Sequence, residues 1–200
     1  MLVGREHEAQ ELNRLYESGE AEFVAIYGRR RVGKTYLVNE TFSGRITFSH
    51  AGLSPADGNV GTSLRLQLDH FAQSLELQGA KGIKRPKSWL EAFCLLEKHL
   101  QDIDDGSRQV VFLDEPTLGL DVRARRDLWR AIEALKGKVT VVLTTHYLEE
   151  AEALSDEIGI LHEGRLRALG TAETLKAKMG TDSFEEAFLA LTDPEAEVSK

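Results

Sequence analysis

The chain has 200 residues, of which 42% are hydrophobic and 29% are charged, and its formal net charge is −8. A domain of this length can bury roughly 70% of the surface that its unfolded chain exposes, so the composition indicates a folded globular protein. The acidic balance argues against broad binding of nucleic acid, because such binding needs many Lys and Arg to neutralise phosphates. Cys94 is the only cysteine, and no apolar run approaches the roughly 20 residues that span a bilayer. We therefore expect a cytoplasmic protein without a disulfide and without direct membrane insertion.

Predicted strands alternate with predicted helices along the chain. Residues 6–17 have apolar side chains at helical spacing, and the next apolar run, 23–27, stops at a glycine as a buried parallel strand does. The same reasoning predicts further strands at 45–50, 109–113, 139–145, 158–161 and 165–169, and further helices at 34–40, 64–77, 88–103, 121–135, 147–154, 171–179 and 183–190. This order predicts an α/β fold, a three-layer αβα sandwich whose central sheet is mostly parallel and ends in a β-hairpin.

The helix predicted near residue 88 has the clearest start signal. Ser88 and Glu91 have the capping-box pattern, in which each side chain binds a free backbone donor of the other. The apolar face predicted to be buried consists of Trp89, Leu90, Phe93, Leu96, Leu100 and Ile103.

An eight-residue motif follows the first predicted strand. It matches G-x-x-x-x-G-K-[ST], stands directly before a predicted helix, and consists of Gly28, Arg29, Arg30, Arg31, Val32, Gly33, Lys34 and Thr35. The glycines allow backbone N–H groups to converge on phosphates, while the lysine reaches the β and γ oxygens and the threonine binds Mg²⁺. The motif predicts a P-loop, in a P-loop NTPase fold, that binds ATP with Mg²⁺. The alternative is a glycine turn with an exposed lysine, and for the three arginines a solvated loop tip is favoured over anion binding.

A second motif ends the predicted strand at 109–113. The apolar run Val110–Leu113 is followed by Asp114 and Glu115, at the carboxyl edge of the sheet where ligands of such sheets bind. This is the Walker B pattern. Asp114 is predicted to hold Mg²⁺, and Glu115 is predicted to orient or deprotonate the attacking water in phosphoryl transfer. Because strands often end in an acidic residue, a purely structural role is the alternative.

Residues 1–115 resemble an AAA-type ATPase family of archaea and bacteria. The resemblance rests on VGRE near the start, GRRRVGKT at 28–35, KRPKSWLEAF at 84–93 and VVFLDE at 110–115. In that family the opening segment lies near the adenine. The resemblance therefore implies that Leu2, Val3 and Gly4 contribute to the base pocket.

From residue 110 onward the chain resembles the C-terminal half of an ABC transporter ATPase. The matching segments are VVFLDEPTLGLD at 110–121, TVVLTTHYLEEAEALSD at 140–156 and ILHEGRLRALGT at 160–171. The resemblance implies that residues 119–121 are the D-loop and that His146 is the switch histidine at the γ-phosphate. An imidazole at a strand end can donate such a hydrogen bond, although an isolated histidine there is more often a satisfied surface residue.

The two resemblances together predict one P-loop nucleotide-binding domain over 1–200 with an AAA-like half, 1–115, and an ABC-like half, 116–200. They indicate a chimera of engineered origin joined within 105–117, with natural divergence of one ATPase as the alternative. No LSGGQ-like signature occurs in 88–109 and no glutamine loop is identifiable. The absence of these motifs, and of a recognisable arginine finger, predicts slow or no hydrolysis and argues against transport.

Two other functions stay open at this point. One is a functional ATPase of either family, and the other is a scaffold that does not bind nucleotide. Nucleotide is the expected partner. A monomer is favoured, with an ATP-dependent dimer as the alternative, because the ABC-like half pairs around ATP in its family but lacks the signature here.

Overall fold

The computed structural model describes residues 5–17, 23–54 and 63–193. Its helices are α1 (Glu6–Glu17), α2 (Lys34–Thr41), α3 (Leu64–Leu77), α4 (Trp89–Asp102), α5 (Val122–Glu133), α6 (Leu148–Leu154), α7 (Ala172–Met179) and α8 (Phe184–Thr192). Its strands are β1 (Phe23–Tyr27), β2 (Ile46–Ala51), β3 (Val110–Asp114), β4 (Thr140–Thr145), β5 (Glu157–His162) and β6 (Arg165–Gly170). The predicted helices and strands are confirmed, with boundaries that differ by one or two residues. The segments 18–22, after α1, and 55–62, between β2 and α3, lie outside the described residues.

The six strands form one sheet in the order β2-β3-β4-β1-β5-β6. The first five strands are parallel, and β6 pairs antiparallel with β5 to form the predicted C-terminal hairpin. This confirms the α/β fold with a mostly parallel sheet. The order has one consequence for function: β4 lies between β1 and β3, so the two strands that precede the predicted motifs are separated by a single strand.

Alternate side chains of the central strands enter two separate hydrophobic cores. From β1, Phe23 and Ala25 join the larger core, whereas Val24 and Ile26 join the smaller one. The larger core is completed by α3 to α8, and the smaller core is completed by α1 and α2. Because successive side chains of a strand point to opposite faces, this distribution places helices on both sides of the sheet. The sheet is therefore the middle layer of an αβα sandwich.

Helix α4 departs from its prediction in two details. Ser88 accepts a hydrogen bond from the Glu91 amide at 3.2 Å, as predicted, but the Glu91 carboxylate accepts from the Lys87 amide rather than from Ser88. Leu90 and Ile103 were assigned to the buried face and are 64% and 44% exposed, because the face that meets the larger core is narrower than the apolar stripe of the sequence. The other four predicted positions are buried.

A buried histidine lies at the end of β2. His50 is 3% exposed, and its Nδ1 lies 3.0 Å from the hydroxyl of Ser74. That hydroxyl donates its proton to the carbonyl of His70 at 3.1 Å, so Nδ1 of His50 must be the donor in the first contact. Protonation would add a second N–H at Nε2, which has no hydrogen-bond partner within the described residues. Burial, followed by the nearby His70, lowers the pKa of His50 to about 3.

This histidine should make the protein sensitive to mild acid. Between pH 6.5 and about 3 the unfolded chain binds a proton at this position and the folded chain does not, so stability falls as the pH falls below 6.5, by at most about 1.4 kcal/mol per pH unit. We expect His50→Asn to lose less stability than the wild type between pH 7 and pH 5 in urea titrations. His7→Asn, at an exposed histidine, is the control, and equal losses in all three proteins would contradict the assignment.

Candidate nucleotide-binding site

The loop between β1 and α2 has the tight backbone that a P-loop requires. Arg31 and Gly33 have φ angles of 65° and 86°, and Gly33 is the N-cap of α2. A Cβ atom on Gly28 would lie 2.3 Å from the carbonyl oxygen of Leu161, so only glycine allows β5 to pack this closely behind the loop. The loop therefore directs the N-terminus of α2, with its free N–H groups, towards the carboxyl edge of the sheet.

Lys34 is held inside this loop rather than extended into solvent. Its side chain is 4% exposed, and Nζ donates hydrogen bonds to the carbonyls of Gly28 at 2.8 Å and Arg29 at 3.1 Å. The same Nζ lies 3.2 Å from Oε1 of Glu115. A buried ammonium needs such acceptors, because desolvation without them is costly. The alternative of a glycine turn with an exposed lysine does not describe this arrangement.

The hydroxyl of Thr35 meets the carboxylate of Asp114. The two Thr35–Asp114 contacts measure 2.9 Å to Oδ1 and 3.0 Å to Oδ2, and the hydroxyl of Thr144 also donates to Oδ1 of Asp114. Thr35 lies in the first turn of α2, Asp114 ends β3 and Thr144 lies near the end of β4. Three elements that are distant in sequence thus bring oxygen ligands to one point.

Glu115 follows Asp114 in an unusual backbone conformation. Its φ is 46°, which is rare for a residue with a side chain, and its N–H donates to the Thr144 carbonyl at 2.9 Å. A Cβ atom on Gly52 would lie 2.2 Å from the Glu115 carbonyl oxygen, so the chain after β2 packs directly against this turn. Strain of this kind costs about 1–3 kcal/mol and is common at functional sites.

His146 approaches the other side of the Glu115 carboxylate. Its Nδ1 lies 3.0 Å from Oε2 of Glu115, although the orientation is not that of a hydrogen bond. Burial lowers the pKa of His146, and the cations Arg30 and Lys34 add to this, while Glu115 acts in the opposite direction. The lowered pKa favours the neutral imidazole, in which one nitrogen donates and the other accepts.

The strand order explains why these groups meet. Because β4 lies between β1 and β3, the P-loop after β1, the acidic pair at the end of β3 and His146 after β4 share one edge of the sheet. Parallel strands present their carboxyl ends at the same edge, and the structure brings Lys34, Thr35, Asp114, Glu115 and His146 together there.

The other predicted residues are peripheral or lie outside the described ranges. Arg29, Arg30 and Arg31 are exposed, as expected for a solvated loop tip. Nε of Arg30 lies 4.0 Å from Oε2 of Glu115. Val32 is half-buried, and its carbonyl accepts a hydrogen bond from Arg5. The proposed base-pocket residues Leu2, Val3 and Gly4 lie outside the described residues.

Arg5 and Thr144 belong to the site but have no motif of their own. The guanidinium of Arg5 donates to the carbonyls of Val32 at 2.9 Å and Gly33 at 3.1 Å, which braces the last turn of the P-loop from behind. Thr144 orients Asp114 through its hydroxyl and Glu115 through its carbonyl. Thr144 belongs to the β-branched strand VTVVLTT. The pattern of that strand does not indicate which of its threonines orients a carboxylate and which only packs in the sheet.

The ligands present fit Mg²⁺ held together with a phosphate. Among residues 5–17, 23–54 and 63–193 no group of three or more His, Cys, Asp or Glu could hold a metal ion alone. Magnesium in nucleotide sites binds through one or two protein oxygens and completes its shell with water and phosphate oxygens. The hydroxyl of Thr35 and the carboxylate of Asp114 supply that number and kind of ligand.

Comparison with known proteins identifies similar ATP-binding proteins. No protein-family model matches the chain. A daunorubicin resistance ATP-binding protein, DrrA3 of Streptomyces coeruleorubidus, is 35% identical over 176 residues, which cover 79% of this chain and 55% of that protein. ABC transporter A family member 2 of Arabidopsis thaliana is 50% identical over 76 residues, which cover 38% of this chain and 8% of that protein. The chain is homologous to ABC transporter ATPases over much of its length, and it spans about half of the first relative and a small part of the second.

A solved structure supports the fold. The ATP-binding subunit of an ABC transporter aligns with 87% of this chain and 89% of its own, with a TM-score of 0.55 and 23% identity. At this identity the likeness concerns the α/β architecture alone. Within the part of the chain that the structure describes, we find no helix with the length and apolarity needed to cross a membrane.

The contact between Arg5 and the P-loop leads to a testable expectation. Arg5→Ala should weaken Mg-ATP binding by roughly tenfold, about 1.4 kcal/mol, because the turn that presents the N–H groups loses two charge-assisted hydrogen bonds. Arg5→Lys should recover only part of the affinity, since lysine cannot span both carbonyls in the same way. Arg14→Ala, at an exposed arginine of α1, is the control in titrations with a fluorescent ATP analogue. Equal affinity in all variants would show that Arg5 does not support the loop.

Proposed function

We propose that the chain is a single nucleotide-binding domain that binds ATP with Mg²⁺ at the edge formed by the P-loop and β3. The observation that carries this proposal is the contact of Thr35 with Asp114 at 2.9 Å. Lys34 points to the same place from within the loop, and its ammonium would bind the β and γ oxygens of a triphosphate. Thr35 and Asp114 would hold Mg²⁺, whose bound charge stabilises the developing negative charge on the phosphates.

The pairing of Glu115 with Lys34 and His146 supports slow ATP hydrolysis. Lys34 now shares its charge between two carbonyls and Glu115, and phosphate oxygens would compete for that ammonium. The freed carboxylate of Glu115 could then accept a proton from an attacking water. His146 lies beside the same carboxylate, and the single N–H of its neutral ring would donate to the γ-phosphate in place of Glu115. Glu115 is thus the proposed base, and His146 the proposed phosphate contact.

The missing motifs support a low rate and a monomeric state. The segment before β3 is α4, whose sequence WLEAFCLLEKHLQD contains no LSGGQ-like signature. Without that signature a second copy has no known means of contacting the nucleotide, so we propose a monomer, with an ATP-dependent dimer as the second state to be tested. A cytoplasmic location and the absence of nucleic-acid binding stay part of the proposal, on the basis of composition and charge.

The origin of the chain as an engineered chimera is a further part of the proposal. Identity to the relatives is uneven, 50% over 76 residues in one case and 35% over 176 in another, which supports a segment that is more ABC-like than the remainder. The longer match covers about 158 residues of this chain, of which at least 73 must precede residue 116, and a match on both sides of the proposed junction is what the alternative, natural divergence of one ATPase, predicts. A natural protein with high identity on both sides of 105–117 would overturn the chimera.

The proposed base pocket rests on the family resemblance of the opening segment. Arg5, the next residue along the chain, contacts the P-loop through its guanidinium, which donates to the carbonyls of Val32 and Gly33. This supports Leu2, Val3 and Gly4 as neighbours of the adenine. Exchange of Val3 for aspartate should then weaken ATP more than inorganic triphosphate.

Lys34→Ala tests nucleotide binding against the scaffold alternative. The wild type should gain about 2.7 kcal/mol of stability when Mg-ATP is present at 100 times its dissociation constant, seen as a rise in melting temperature. Lys34→Ala should lose most of that rise because the triphosphate loses its only buried cation within the described site. Lys98→Ala, at an exposed lysine of α4, is the control. A wild type whose melting temperature ignores Mg-ATP would indicate a scaffold that binds no nucleotide.

Glu115→Gln tests hydrolysis separately from binding. The amide cannot accept a proton from water, so phosphate release should fall by roughly 100-fold or to background, while Mg-ATP binding is kept or becomes tighter as the negative charge near the phosphates is removed. Glu97→Gln, distant on α4, should leave the rate unchanged. If wild type and Glu115→Gln release phosphate at the same rate, Glu115 is not the base.

A further inference from the structure

His146 is one of three planar side chains in successive contact, the others being Tyr147 and Arg125, and we call this group the stack. The ring centroid of His146 is 4.1 Å from that of Tyr147, with an angle of 36° between the planes. On Tyr147 lies the guanidinium of Arg125, whose Cζ is 4.2 Å from the ring centroid, within the range of a cation–π contact. Arg125 belongs to α5, and His146 and Tyr147 form the link from β4 to α6. The stack therefore connects the proposed phosphate contact to a helix outside the site.

A second contact fixes the position of α5 against α6. Glu150 of α6 is fully buried, and its Oε1 accepts a hydrogen bond from the Trp129 indole at 3.0 Å. Trp129 follows Arg125 by four residues, so both side chains lie on the same face of α5. Burial raises the pKa of Glu150, while the hydroxyls of Thr145 and Thr117 and the charge of Arg125 act in the opposite direction. The helix that carries Arg125 is thus anchored independently of the stack.

Little else in the described structure holds the imidazole in place. Its Nδ1 is buried without a hydrogen-bond partner, and its 3.0 Å approach to Glu115 lacks hydrogen-bond geometry. A cleft of about 410 Å³, lined by His146, Tyr147, Arg125 and residues of α8, opens beside the ring. A side chain with an open cleft on one side and no directional bond would sample several rotamers unless a neighbour restricted it.

We propose that Arg125 and Tyr147 are positioning residues that hold the imidazole of His146 against Glu115. The stack limits the rotation of the ring, and α5, fixed through Trp129 and Glu150, limits the movement of the stack. Helix α5 begins at its N-cap, Asp121, directly after the turn that follows Glu115. Glu115 is therefore connected to α5 through the chain, and His146 is connected to α5 through Tyr147 and Arg125. The kinetic part of this inference depends on the proposed hydrolysis, and the geometric part does not.

The geometric part can be tested by NMR. An imidazole 4.1 Å from a tyrosine ring has side-chain proton shifts altered by the ring current, and the signal can be assigned by its loss in His146→Gln. We expect Tyr147→Leu to move these signals to the values of a free histidine, Arg125→Met to move them part of the way, and Tyr147→Phe to leave them close to wild type. Arg126→Met, at the exposed neighbour, is the control. Unchanged His146 signals in Tyr147→Leu and Arg125→Met, with melting temperatures near wild type, would overturn the proposal.

The kinetic part uses the same variants. A misplaced imidazole should lower kcat for ATP about 10- to 100-fold in Tyr147→Leu and less in Arg125→Met, with KM for Mg-ATP within about twofold, because the P-loop that binds the phosphates is untouched. Tyr147→Phe should restore kcat. A general loss of structure would instead change KM and the melting temperature together. If the wild type does not hydrolyse ATP, the proposed hydrolysis is contradicted, and the NMR experiment alone tests the positioning role. If Tyr147→Leu keeps the kcat of the wild type, the positioning role is overturned.

Discussion

The hydrogen bond of Thr35 with Asp114 connects two residues that are 79 positions apart in sequence, and the rest of the site is arranged around it. It closes the gap between the start of α2 and the end of β3, across the intervening strand β4. Strand β4 also takes part in this contact, since the hydroxyl of Thr144 donates a hydrogen bond to Asp114. A hydroxyl and a carboxylate that touch in this way are matched to one hard cation, because Mg²⁺ binds oxygen ligands of both kinds.

Near this contact, the positive charge of Lys34 is paired with the negative charge of Glu115. The ammonium of Lys34 is buried and divides its interactions between backbone carbonyls and the Glu115 carboxylate, which in turn approaches His146. A buried charge stays ionised only while such partners remain close, so any anion that binds Lys34 must change the surroundings of Glu115. Coupling between nucleotide binding and the proposed base is therefore a direct result of electrostatics in a poorly solvated site.

The likeness to the ATP-binding subunit of an ABC transporter concerns the α/β fold. In the segment before β3, α4 packs aromatic and leucine side chains into the larger core, and its sequence contains no signature-like motif. The groups proposed to bind phosphate lie in the P-loop and at the end of β3, outside α4. The proposed binding uses groups of one chain, so it does not depend on a signature motif.

The sequence by itself determined the helices and strands and predicted the chemistry of the two motifs. Periodicity and caps located the helices and strands to within one or two residues, because those signals are local, and the spacing of Gly28, Gly33 and Lys34 predicts a phosphate loop for the same reason. Only the tertiary structure decided which residues support those motifs. The brace at Arg5 and the stack of Arg125 on Tyr147 join positions that no local pattern relates, since their contacts depend on how strands and helices are ordered in space. For the same reason Leu90 and Ile103 of α4, apolar in the sequence, are exposed: burial is set by the neighbours that a helix packs against, which its own residues do not encode.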